Sequence, residues 1–75
     1  MNLYTIPLGE KVTVKNLEKI DSLLYKRLHA FGVQEGCQVC LKQKGWFSGA
    51  CILECQGQQI GLRKKDLINI KVEQL

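Results

Sequence analysis

The side chains with the most chemical potential in this chain are its four cysteines, which fall as Cys37-x2-Cys40 and Cys51-x3-Cys55. Thiolates drawn from two neighbouring strands are a donor set for a tetrahedral zinc ion or an iron–sulfur cluster. Strand parity works against that use. Side chains on a strand alternate between faces, so Cys37 and Cys40, an odd number of residues apart, point in opposite directions. Neither is followed by a glycine that would let the chain curl around an ion. Cys51 and Cys55 share a face with Leu53, where a free thiol serves as a small apolar side chain. The sequence therefore predicts Cys51, Cys55 and Cys37 in the core, Cys40 as an exposed thiol, and no metal ligand set. Disulfides need an oxidising compartment, and the absence of a signal-like segment leads us to expect reduced thiols.

The other reactive groups stand alone. His29, the single histidine, has no carboxylate spaced to orient it as a base and no nucleophile beside it, so it reads as a solvated helix residue. Glu10, Glu18, Asp21, Glu35, Glu54, Asp66 and Glu73 are scattered singly, which suggests neither shared-proton catalysis nor a hard-cation cage. The glycines form neither a phosphate-cradling loop nor a dinucleotide fingerprint. No enzyme, no cofactor and no small-molecule substrate is expected. Trp46 and Phe47 are different: two adjacent large aromatics at a hairpin tip cannot both pack inward unless the loop folds over the sheet. They either cap one end of the fold or act as anchors for a partner or for self-association. Lys42, Lys44, Arg63, Lys64 and Lys65 fall near that hairpin, as a positive patch or simply as a solvated face.

These side chains are positioned by short elements. Leu3, Ile6 and Leu8 read as apolar anchors of an N-terminal stretch in which Pro7 forbids a helix and Gly9 marks a turn. Glu10 to Lys15 alternates, with Val12 and Val14 on one face, and is a strand. Asp21 is the expected N-cap of a helix over Ser22 to Phe31, where Leu24, Leu28 and Phe31 recur at helical spacing and Lys26, Arg27 and His29 point elsewhere. Gly32 stops that helix in the left-handed conformation, and Gly36 opens the turn into the next strand. Cys37, Val39 and Leu41 then share a face. Residues 44–49 form a hairpin loop, Ala50 to Gln56 a third strand, and Gln56-Gly57-Gln58 a tight turn into a fourth strand with Ile60 and Leu62 inward. Lys64 to Leu67 reads as one turn of helix, and Ile68, Ile70 and Val72 as the inward residues of a last strand.

Five short antiparallel strands dispose of their edges by curling together, so the expected fold is mainly β, a small SH3-like five-stranded barrel with one α-helix in the first long connection. The 75 residues make a single domain spanning 1–75, since one modest core is all that such a length builds. Apolar residues at 45% and charged residues at 24% place it among folded globular chains rather than disordered ones. Its longest apolar run, Ala50-Cys51-Ile52-Leu53, is far too short to cross a bilayer. The net charge of +4 favours anionic partners without naming one.

Read in order, these features resemble the FeoA (ferrous iron transport protein A) family. The likeness runs from Leu3 to Val72. It is carried by Leu8-Gly9 before the first strand, by Arg27-Leu28 on the helix, and by the Gly32-x3-Gly36 connection. A glycine-containing hairpin loop then precedes Cys51, Leu53 and Cys55, and Ile60-Gly61-Leu62-Arg63 follows. Two positions depart from the family pattern: Ala50 stands where a proline is frequent, and Cys51 and Cys55 stand where aliphatic residues are usual. The resemblance implies a cytoplasmic accessory protein of bacterial ferrous iron uptake, recruited to the inner face of the membrane. Its partner would be the FeoB transporter, whose cytosolic part carries a GTP-binding domain. Such a protein binds rather than catalyses, and the candidate contact residues are Trp46, Phe47, Lys26, Arg27, Arg63 and Lys64. The rival reading is a nucleic-acid-binding small barrel in which Trp46 and Phe47 stack on bases while Lys42, Lys44, Arg63, Lys64 and Lys65 follow phosphates. A further relative by expectation is the C-terminal barrel of iron-dependent repressors, without their DNA-reading helices.

Overall fold

The computed structural model describes residues 1–45 and 49–75. Its elements follow from local sequence. Strand β1 (Lys11–Asn16) buries Val12 and Val14 and leaves Lys11 and Lys15 exposed. Asp21 caps helix α1 (Ser22–Ala30), its carboxylate accepting from the Leu24 N–H at 2.8 Å and satisfying one of the donors a helix start leaves unpaired. Leu24 and Leu28 form the buried stripe of that helix, whereas Phe31 lies just beyond it as the C-cap and is only partly covered. Gly32 follows at φ 84°, and the Val33 N–H returns to the Leu28 carbonyl at 2.9 Å, which ends the helix as the sequence predicts.

Strands β2 (Gln38–Gln43), β3 (Ala50–Cys55), β4 (Gln58–Arg63) and β5 (Lys71–Gln74) join β1 in one antiparallel sheet with the order β4-β3-β2-β1-β5. The turn from β3 to β4 has Gln56 at φ 53° and Gly57 at φ 82°. Positive φ at both central residues is the turn whose twist matches that of paired strands. Register shifts between Val14 and Asn16, and between Leu41 and Gln43, mark irregularities that bend the strip. The two outermost strands, β4 and β5, are joined by the short helix α2 (Lys64–Ile68). A brief link between opposite ends of the sheet requires the sheet to curl. Helix α2 packs against β4 and against the 3₁₀ turn Leu3–Thr5, so these two pieces fill the opening that β4 and β5 leave between them. The barrel is thus closed by packing on one side rather than by a continuous ladder.

The interior is a single apolar cluster that includes Leu3, Val12, Leu28, Leu41, Leu53, Ile60, Leu67 and Ile70, with Cys51 and Cys55 among them. The start of the chain lies along β5: the Leu3 N–H donates to Ile70 O at 3.0 Å and the Val72 N–H to Met1 O at 2.9 Å.

Several expectations are corrected. Leu8 is exposed rather than an anchor, because the chain turns outward over Pro7–Gly9 after Ile6 has been buried. Ile68 ends α2 and is 41% exposed instead of opening the last strand inward; the helix runs one residue further than its sequence suggests, and Asn69 caps it. Cys40 is 5% exposed, not an exposed thiol. It lies on the outer face of the sheet, but β2 is flanked on both sides, and its register partners Lys11 and Glu54 stand on that same face to either side of the sulfur. Long side chains cover outer-face neighbours with their aliphatic stems. Cys37 precedes β2 and is half-buried, packed against the core rather than within it.

Candidate functional site

Helix α1 and the junction from β4 into α2 meet at one surface. The Arg27 guanidinium crosses from the helix and donates from Nη2 to the Gly61 carbonyl of β4 at 2.9 Å. The bond is to backbone, and a Cβ at Gly61 would point into open space. At the start of α2, Asp66 accepts from the Arg63 N–H at 3.2 Å, which fixes the turn from strand to helix. The Lys64 N–H donates to Gly49 O at 3.1 Å, tying the end of the hairpin loop to the same junction.

A shallow groove of about 290 Å³ results, walled by Leu23, Leu24, Arg27, Arg63, Lys65 and Asp66 with Asp21 beside them. Leu23 is 78% exposed there. It stands outside the stripe that Leu24 and Leu28 bury, so the fold leaves an apolar side chain uncovered among charged ones, Arg27, Arg63 and Lys65 with Asp21 and Asp66. A hydrophobic anchor rimmed by charges of both signs, with a basic excess, suits a partly apolar partner surface of complementary charge pattern.

Of the residues singled out in the sequence, Arg27 and Arg63 come together on this groove. Lys26 is exposed on α1 and is not among the groove's walls. Lys64 turns away: its ammonium lies 5.0 Å from the Tyr4 ring centroid, and Lys44 stands at the same 5.0 Å from that ring. Lys42 pairs with Glu54 across β2 and β3 at 3.7 Å. The basic residues therefore divide among three places instead of forming one patch. Trp46 and Phe47 lie outside the described residues. Sequence reasoning missed Leu23, although an apolar residue off the helix stripe was visible, and it missed Tyr4, whose lysine neighbours come from segments far apart in the chain.

The thiols are arranged in a way that within-strand spacing does not reveal. Burial, reinforced by the neighbouring Cys37, pushes the Cys55 thiol above its ordinary value of 9.0. The Gln34 N–H donates to Cys37 Sγ at 3.3 Å, and Cys55 Sγ lies 4.0 Å from the Gly32 carbonyl. Cys51 Sγ lies 3.6 Å from Gly49 O. Among the described residues, no three His, Cys, Asp or Glu side chains gather in a way that could hold a metal ion. Nor is any described helix long and apolar enough to cross a membrane.

A strongly bent five-stranded antiparallel sheet in this order, plugged by a short helix before its last strand, defines the class of small SH3-like barrels. Within that class the match is specific: the FeoA domain model covers residues 1–74, and the chain belongs to the FeoA family. Among the curated proteins, none matches this chain. Solved structures do. Iron(II) transport protein A from Clostridium thermocellum is 24% identical with a TM-score of 0.85, over 100% of this chain and 46% of that one. The FeoA protein from Chlorobium tepidum is 19% identical with a TM-score of 0.90, over 100% of this chain and 70% of that one. A manganese-dependent transcriptional repressor is 16% identical with a TM-score of 0.85, over 100% of this chain and 41% of that one. This chain thus spans less than half the length of the first and third of these proteins. At such identities the likeness establishes the shared fold.

Proposed function

We propose that this chain is a non-catalytic accessory module of ferrous iron uptake that acts in the cytoplasm by docking on the cytosolic, GTP-binding part of a FeoB-like membrane transporter. The contact is the α1 face together with the β4–α2 junction, through Leu23, Arg27 and Arg63, with Lys26 and Lys64 at its margins; Trp46 and Phe47 are further candidate contacts from the sequence alone. The observation that carries this reading is the FeoA family match over residues 1–74, joined to an uncovered Leu23 in the same groove as Arg27 and Arg63. A rigid module of this kind acts by binding one conformation of its partner more tightly than another.

The test is retention of the purified cytosolic domain of the transporter by the immobilised chain. A Leu23→Ser, Arg63→Glu double variant removes the apolar anchor and reverses one charge without touching the core, and it should lose retention. A Trp46→Ala, Phe47→Ser variant measures the loop separately. Undiminished retention by the groove variant would exclude that surface as the contact. The division of Lys42, Lys44, Lys64 and Arg63 among separate neighbours speaks against a continuous phosphate track, and an oligonucleotide titration at low salt checks that point.

A further inference from the structure

We propose that Cys37 and Cys55 form an oxidisable thiol pair, which a hydroperoxide converts to a disulfide that staples the exit of α1 to the β3–β4 hairpin. The two sulfurs come from different segments. Cys37 ends the Gly32–Gly36 connection after α1, and Cys55 is the last residue of β3. Extending the β2–β3 register, in which Cys40 faces Glu54 and Leu41 faces Leu53, puts Val39 opposite Cys55. Cys37, two residues before Val39, then lies on the same inward face as a diagonal neighbour. Both sulfurs sit against the same loop: Cys55 Sγ lies 4.0 Å from the Gly32 carbonyl, and the Gln34 N–H donates to Cys37 Sγ at 3.3 Å.

The environments of the two sulfurs assign them different parts. Cys37 is half-buried and can be reached from solvent, and the Gln34 N–H donates to it at 3.3 Å. Cys55 is 1% exposed and stays protonated until its neighbour has reacted. The Cys37 thiolate attacks the peroxide oxygen, cleaving the O–O bond and leaving a sulfenic acid with release of hydroxide. The Cys55 sulfur then attacks the Cys37 sulfur, its proton leaves, and water departs, so two thiols lose two electrons while one peroxide becomes two waters. The other two thiols are placed elsewhere: Cys40 sits on the outer face between Lys11 and Glu54, and Cys51 has its contact with Gly49 O.

The test treats the full native chain with hydrogen peroxide, then alkylates and measures mass under denaturing conditions. The expected product has lost one pair of hydrogen atoms, carries two alkylations instead of four, and yields a peptide linked through Cys37 and Cys55 that dithiothreitol releases. The Cys37→Ser variant should keep all of its remaining thiols. Cys55→Ala should leave Cys37 as a sulfenic acid, trapped by a dimedone-type probe. Cys40→Ser should behave as the native chain does. Should Cys55→Ala fold poorly, Cys37→Ser, which changes a half-covered position, still decides the matter. A linked Cys37–Cys40 peptide, or four alkylatable thiols after treatment of the native chain, would overturn the proposal.

Discussion

The Arg27 side chain on α1 donates to the Gly61 carbonyl on β4, and this single 2.9 Å bond spans helix and sheet at the edge of the proposed docking groove. It is exposed, so its stabilising value is small. Arg27→Ala should lower stability by no more than about 1 kcal/mol, read as a small shift of the urea midpoint. A larger loss would mean that Arg27 organises α1 rather than decorating it.

The Asp21 cap is a separate local term. Asp21→Ala leaves the Leu24 N–H without its acceptor and should cost about 1 kcal/mol, while Asp21→Asn should cost much less. Thermal unfolding followed by far-ultraviolet circular dichroism compares the three chains.

Gly32 sits at φ 84°, and a Cβ there would meet Gln56 Oε1 at an ordinary 3.5 Å. The obstacle to substitution is therefore backbone conformation rather than crowding. Gly32→Ala should destabilise by about 1 kcal/mol and Gly32→Val by more, the left-handed region being hardest on β-branched residues. Equal stabilities for Ala and Val would refute the conformational explanation.

Leu41 and Leu53 face each other across β2 and β3, and neither is accessible to solvent. Truncating either to alanine removes apolar burial and leaves a cavity, at a cost of about 2–5 kcal/mol. A core of this size supplies only about 3–5 kcal/mol. Leu53→Ala should therefore be largely unfolded at 25 °C, with the dispersed amide spectrum of the native chain collapsed.

The raised Cys55 thiol has a pH consequence whose sign is fixed. Burial keeps Cys55 protonated in the folded chain at pH values where the unfolded chain has already lost that proton. The unfolded state then binds fewer protons, so stability is fully present below the ordinary thiol value of 9.0 and falls as pH climbs above it. Other contributions to alkaline unfolding are shared by both chains, so the measurement is a difference. Under reducing conditions, the native chain should lose stability between pH 8 and 10.5 more steeply than Cys55→Ala does. Parallel slopes would assign the alkaline loss to other groups.

What could be read from sequence divides along a physical line. Val12 and Val14, Leu24 and Leu28, and Ile60 and Leu62 were legible because their periodicity states which face is covered, and Gly32 and Gly57 because only certain backbones need them. Cys40 was misread because alternation reports the face of a strand and says nothing of what lies over it; Lys11 and Glu54 come from other strands. Ile68 was misread because a run of Ile at every second position fits a strand as well as the end of a helix. The groove was half visible: Arg27 and Arg63 were singled out, but their shared wall with Leu23 depends on α1 meeting the β4–α2 junction, residues distant in the chain. The meeting of Cys37 with Cys55 likewise depends on register between strands, which spacing along one strand does not encode.

Met1 and Val72 are held side by side by a backbone hydrogen bond, and Asn2 bridges to Lys71 beside them. A fold whose entry and exit share one doorway can be spliced into a host polypeptide, or strung head to tail with copies of itself, without prising its walls apart.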